Sequence, residues 1–119
     1  NVAANYRLLR ATDPLLRLSK AGRVVLVTSG AAITPVAYWG PYAASKAALE
    51  HLTLTYAAEM ATSTIRTNLL DPGAVRTAMR AKAFPGEDPQ LLPAADSITE
   101  WFVRLCEPHA PNGKRVVVS

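Results

Sequence analysis

RVVLVTSGAAITPVAYWGPYAASKAALEHL, residues 23–52, decides how the chain folds. Val24, Val25, Leu26 and Val27 are consecutive branched or long apolar residues, the pattern of a strand buried on both faces as in a parallel sheet. Ser29 stands at the end of that strand. Residues 30–41 are rich in glycine and proline and read as a loop, after which Pro41 suits the first turn of a helix. The helix is expected from Tyr42 to about Ala61, and Ala43, Ala44, Ala47 and Ala48 make its first two turns slim enough for another backbone to approach. The uncharged run from Val24 to Ser45 is nominally long enough to span a bilayer. Gly30, Pro35, Gly40 and Pro41 break it repeatedly, so it reads as a strand and a loop, with no membrane partner.

The flanks repeat the alternation. Upstream, Leu8, Leu9, Leu15, Leu16 and Leu18 recur near helical spacing over residues 3–20; Asp13-Pro14 is expected to interrupt that helix and Gly22 to stop it. Downstream, TIRTNLL (64–70) reads as a second strand halted by Asp71-Pro72-Gly73. Residues 75–92 suggest short helix and loop. Residues 93–107 suggest a helix opened by Pro93, with Trp101, Phe102 and Leu105 as its apolar face. NGKRVVVS (112–119) gives a turn and a third buried strand. Strands separated by helices imply crossovers and a parallel sheet. The expected fold is α/β, a three-layer, doubly wound, Rossmann-like sheet, and the chain would supply only its C-terminal half. The first residue of the 119 is not methionine and the opening residues already look helical, so an N-terminal part is expected to precede them.

Composition narrows the function. Half the residues are apolar and the net charge of +4 is scattered, with no basic run interleaved with aromatics, so nucleic acid is not an expected partner. The single cysteine, Cys106, excludes an internal disulfide and fits a reducing, cytoplasmic setting. Cys106 and His109 are too few to hold a metal. The expectation is no metal, and a buried thiol beside a surface histidine.

In open α/β sheets, ligands bind beyond the carboxyl ends of the strands. Ser29 ends its strand there, and Tyr42 begins the next helix on the same side. Residues four apart on a helix share a face, so Lys46 stands beside Tyr42. A free tyrosine titrates near pH 10 and is a sluggish base at neutrality. A neighbouring ammonium and a helix N-terminus both favour a phenolate. A phenol so placed can exchange a proton with an alcohol or alkoxide, while a serine hydroxyl polarises the same oxygen. No side chain supplies hydride, so a nicotinamide must. The bland alternative is an amphipathic tyrosine and a solvated lysine at a helix start. A hydrolase built on Ser29 lacks the nucleophile-elbow pattern, and His51 lies too far along the helix to serve it.

Taken together, the thirteen-residue step from Ser29 to YAASK and the later NLLDPGAVRT resemble the short-chain dehydrogenase/reductase family over essentially the whole chain. RTAMRAKAFPGEDPQLL is similar to its YciK-type oxidoreductases. The resemblance implies an NAD- or NADP-dependent oxidoreductase interconverting a carbonyl and an alcohol. Tyr42 would be the acid/base, Lys46 would hold the nicotinamide ribose, and Ser29 would orient the substrate oxygen. Asn1 would support a proton-relay water, with Asn5 its competitor. Tyr42, Lys46, Pro72, Gly73, Val75 and Thr77 would contact the cofactor. Residues 78–92 would be a substrate lid, with Trp39 and Val36 at its mouth. The family's glycine-rich phosphate loop and ribose-reading residue would precede Asn1, so nothing in the chain selects NAD over NADP. The resemblance further implies a homodimer or homotetramer through the helices at Asn1 and Tyr42, using the alanine face with Leu52, Leu54 and Tyr56; the alternative is that these residues cover the sheet, as some of them must. The competing expectation is a non-catalytic scaffold or dimerisation module that keeps the fold.

Overall fold

The computed structural model describes residues 1–118. Among them, β1 (Arg23–Val27), β2 (Arg66–Asp71) and β3 (Arg115–Val117) form one parallel sheet in the order β1-β2-β3. Arg23 is opposite Arg66, Val27 opposite Leu70, and Leu69 opposite Arg115. The helices are α1 (Val2–Leu18), α2 (Gly40–Glu59), α3 (Ala78–Ala83) and α4 (Thr99–Cys106). Helix α2 carries the chain from β1 to β2, and α3 and α4 lie between β2 and β3. This is the α/β, Rossmann-like arrangement expected from the sequence. No helix among the described residues is long and apolar enough to cross a membrane.

Strand β2 is central, and five of its six residues are buried. Strands β1 and β3 are only half-buried, contrary to expectation, because each has no neighbouring strand at its outer edge among the described residues; Ser119, the last residue of the expected third strand, lies outside them. On one side of the sheet Leu9 of α1 meets Tyr56 of α2, Met60 at the end of that helix and Ile65, with Leu16, Val24, Leu26 and Leu52 packed around them. Side chains alternate along a strand, so Val25 faces the other side. Helix α4 packs on β1 and β2 apart from the α1–α2 pair, with Leu105 as its buried anchor. Asn68 and Asn112 stitch the end of the sheet. Asn68 donates to Pro111 O and accepts from Lys114 N, while Asn112 accepts from Thr67 N and donates to Ala57 O.

Several local expectations are corrected. Helix α1 runs through Asp13-Pro14 without a break. Proline removes one backbone bond there, to the carbonyl of Arg10, which is exposed and open to water. Asp13 meanwhile receives bonds from Arg17 and from the Tyr56 hydroxyl, at 2.8 Å each. The helix ends at Ser19, before Gly22. Gly22 is small for a packing reason: a Cβ there would stand 3.1 Å from Ile65 Cγ1 and from Leu16 O. The expected helix over 93–107 is shorter, a 3-10 turn at Ala95–Ile98 followed by α4. Pro93 is extended instead of opening it, because its carbonyl accepts from Arg76 N across a β-bridge between Arg76 and Ala94. Cys106 is exposed, not buried.

The helix face assigned to a partner also divides differently. Leu52 and Tyr56 pack within the α1–α2 core, whereas Ala44, Ala47, Ala48 and Leu54 are exposed.

Burial and the bond to Asp13 push the Tyr56 hydroxyl up to about 12. Its folded pKa lies above that of an unfolded tyrosine, near 10. Its contribution is therefore complete below about pH 10 and is lost as the pH rises through about 12. Tyr56→Phe should lower stability by about 1 kcal/mol at neutral pH and flatten the alkaline fall, as read by urea unfolding across pH 8–12. An unchanged alkaline limb would contradict this assignment.

Candidate active site

The carboxyl ends of β1 and β2 and the start of α2 enclose a cavity of about 960 Å³. Its walls bring together Ser29, Tyr42 and Lys46 with Pro72, Gly73, Val75 and Thr77. These residues are up to 48 positions apart in sequence, and the parallel sheet is what gathers them.

Each position follows from local structure. Ser29 is extended and caps a 3-10 turn at Gly30–Ala32, its Oγ accepting from Ala31 N at 3.2 Å. An oxygen engaged as an acceptor leaves its own O–H free to donate to a ligand. Pro41 occupies the first turn of α2, and Tyr42 follows it, half-buried. One turn on, Lys46 Nζ donates to Val27 O at 3.1 Å and lies 5.9 Å from the centre of the Tyr42 ring. Burial pulls the Lys46 ammonium below its ordinary pKa. Gly73 has φ +66°, a left-handed turn that residues with a Cβ avoid, and it directs the chain from β2 along the cavity wall. Val75 is buried. Thr77 caps α3 by accepting from Arg80 N at 3.1 Å.

Asn1 is placed differently. It is exposed, is not part of the cavity wall, and donates through Nδ2 to Ser45 Oγ at 3.1 Å. Ser45 in turn donates to Tyr42 O, so Asn1 reaches the site only through the back of α2. Asn5 donates to Asn1 O.

Trp39 and Val36 stand on the wall as expected, and so do Met79, Arg80, Ala83 and Phe84 from the expected lid. Trp39 packs edge-on against Tyr42 and tilted against Phe84, with ring centres 5.6 Å apart in both pairs. Pro89–Leu91, also assigned to the lid, forms a 3-10 turn, and neither its residues nor Leu92 are on the cavity wall.

A polar node below the cavity escaped the sequence reading. Arg115 Nε donates to Glu50 Oε1 at 2.9 Å, and its Nη2 donates to Asp71 Oδ2 at 2.8 Å and to Ser29 O at 3.2 Å. Glu50 Oε1 also accepts from the buried Thr28 hydroxyl at 2.6 Å, and Asp71 Oδ1 accepts from Gly73 N at 3.0 Å. Burial works against the Arg115 charge, yet its bonds to Glu50 and Asp71 hold it above its ordinary pKa. One guanidinium thus joins the end of β1, the glycine turn after β2 and the middle of α2. No sequence signal could have found it, since residues 50, 71 and 115 share no period or motif.

Comparison with known proteins gives a consistent result. Residues 1–88 match the family model described as short chain dehydrogenase. The chain is 43% identical over 105 residues to the uncharacterized oxidoreductase YciK of Escherichia coli K12, which covers 88% of this chain and 41% of that protein. It superposes on a short chain dehydrogenase from Salmonella enterica serovar Typhi with TM-score 0.93 at 36% identity, covering 98% of this chain and 49% of that one. A short chain dehydrogenase from Escherichia coli CFT073, complexed with NADPH, superposes with TM-score 0.91 at 38% identity, covering 98% and 49%. The chain therefore spans about half the length, or less, of the proteins it matches.

Removing Arg115 leaves two poorly exposed carboxylates facing each other. Arg115→Met should destabilise the fold by about 3 kcal/mol in chemical unfolding. Arg115→Lys should recover only part of this, because an ammonium cannot form the planar fork. A loss below about 1 kcal/mol for Arg115→Met would show that the node is not holding these elements.

Proposed function

The chain belongs to the short-chain dehydrogenase family, and on that premise we propose that it carries the proton-transfer centre of an NAD- or NADP-dependent oxidoreductase interconverting a carbonyl and an alcohol. The observation behind this reading is the single cavity shared by Ser29, Tyr42 and Lys46 with the Pro72–Thr77 turn, at the carboxyl ends of parallel strands.

The residues present suit a nicotinamide. The left-handed Gly73 has open space where a Cβ would stand, so the turn offers bare backbone to a planar ligand. Pro72, Gly73, Val75 and Thr77 would hold the carboxamide end, and Tyr42 and Lys46 the ribose. The NADPH-bound relative supports the choice of cofactor class. When bound, the reduced nicotinamide supplies the hydride accepted by the carbonyl carbon and is itself oxidised.

The remaining work falls to side chains. Ser29 donates its free O–H to the substrate oxygen, which polarises the carbonyl and orients it. Tyr42 gives its phenolic proton to that oxygen as negative charge develops there, and takes a proton from the alcohol in the reverse direction. Lys46 stabilises negative charge on the phenol oxygen by its position one turn along the same helix. Its anchorage on Val27 O holds the ammonium 5.9 Å from the centre of the Tyr42 ring despite the desolvation it bears. Asn1 supports the start of α2 through Ser45 and offers a path for a relay water. The exposed alanine face of α2 is the surface assigned to a second copy in a homodimer or homotetramer.

In the intact protein, Tyr42→Phe should lower turnover by at least about 100-fold, with the cofactor dissociation constant changed less than about threefold. Unchanged turnover would overturn the assignment and favour a scaffold. Lys46→Met should also reduce turnover without lowering stability at neutral pH. The Lys46 pKa is depressed in the fold, so the unfolded state binds the extra proton and stability rises with pH on approach to 10.5. The variant should flatten that rise.

A further inference from the structure

The far end of the cavity, beyond Tyr42, is walled by Val36, Trp39, Met79, Ala83, Phe84 and Ile98. Val36 and Met79 are exposed at 43% and 73%, an apolar rim that a ligand would cover. At its mouth Tyr38 is fully exposed with φ +68°, a left-handed conformation unfavourable for a tyrosine. It immediately precedes Trp39, the ring that touches both Tyr42 and Phe84.

The charged side chains on the cavity wall are Lys46, Asp71 and Arg80, and each is already engaged. Lys46 is bonded to Val27 O and belongs to the reaction centre. Asp71 is bound by Arg115 and Gly73 N. Arg80 is the cation nearest the apolar wall, and Glu87 holds it by two bonds of 2.8 and 2.9 Å. Its guanidinium carbon lies over the Phe84 ring, 3.8 Å from the centre. Glu87 thereby cancels the charge that, among the described residues, could hold a substrate carboxylate or phosphate at this end. Burying an anion without a partner is unfavourable, whereas an uncharged ring or chain gains from the apolar wall.

We propose that the substrate is a neutral, hydrophobic carbonyl compound or its alcohol, and that the Arg80–Glu87 pair excludes anionic analogues. This deepens the reading of the site as an oxidoreductase centre and rests on it for the word substrate. The selectivity itself is a property of the wall. Arg80 acts here by being occupied, so releasing it should change which ligands are accepted.

The test uses 4-methylbenzaldehyde and 4-carboxybenzaldehyde, of similar shape and different charge. Their binding to the intact protein is measured by calorimetry in the presence of NADP⁺, so that no reduction occurs, and turnover is measured separately with NADPH. The methyl compound should bind at least about tenfold more tightly than the carboxylate. Glu87→Gln, which keeps the shape but frees the Arg80 charge, should reduce that ratio severalfold by improving carboxylate binding. Equal or tighter carboxylate binding in the unmodified protein, no binding of either compound, or an unchanged ratio in Glu87→Gln would each overturn the proposal. A variant that weakens both ligands equally has only loosened the α3 segment and also overturns it. Selective binding of the methyl compound without any turnover would leave the pocket assignment standing and count against the oxidoreductase reading instead.

Discussion

Everything at the cavity rests on the guanidinium of Arg115. A parallel sheet delivers functional residues from separate strand ends, and the loops that carry them must be fixed relative to one another to within a fraction of a bond length. Arg115 reaches Ser29 O, Asp71 and Glu50 at once, within 3.2 Å of each. Its fork is planar and always charged, so it suits two carboxylates and a carbonyl better than an ammonium would. The bonds are buried enough that their importance lies in geometry more than in net stabilisation, since desolvating three charges offsets much of their attraction. Glu50 passes the constraint to Thr28, next to Ser29, and Asp71 passes it to Gly73.

Above this node the working groups are held at some expense in stability. Lys46 is partly desolvated and its charged form is disfavoured, yet it is tied to a strand-end carbonyl one helical turn from Tyr42. Ser29 uses its oxygen to cap a 3-10 turn, which sets the hydroxyl's direction and leaves the proton for a ligand. Gly73 and Tyr38, both on the cavity wall, adopt left-handed backbone. Among the described residues Tyr38 is the one non-glycine residue held in left-handed backbone, and it stands on the cavity wall. The aromatic series Tyr42, Trp39 and Phe84 then links the start of α2 to the stretch that follows α3 on the cavity wall.

The parts of this structure that were legible in the sequence are those written locally. The apolar run at Val24–Val27, the helix from Gly40 and the Asp71-Pro72-Gly73 turn each have a short-range cause, and so the layered fold and most cavity residues could be read. The misreadings have both local and tertiary causes. Pro14 and Gly22 were read as helix breakers; one removes a bond that solvent can replace, and the other is small because Ile65 and Leu16 crowd it. Cys106 follows the buried Leu105, and one step of about 100° along a helix turns it outward. Pro93 was captured by Arg76 from another loop. The Arg115 node was invisible because its members meet only after the sheet has formed. Its side chains look like ordinary surface charges in the linear chain.

The most direct measurement is a crystal structure of the intact protein with NADP⁺ and 4-methylbenzyl alcohol. The account predicts that the alcohol oxygen lies within about 2.6–3.2 Å of both Ser29 Oγ and Tyr42 Oη, with Lys46 still on Val27 O and Arg115 still joining Ser29, Asp71 and Glu50. An alcohol oxygen bound away from both hydroxyls, or a Tyr42 ring turned out of the cavity with Lys46 in open solvent, would contradict it.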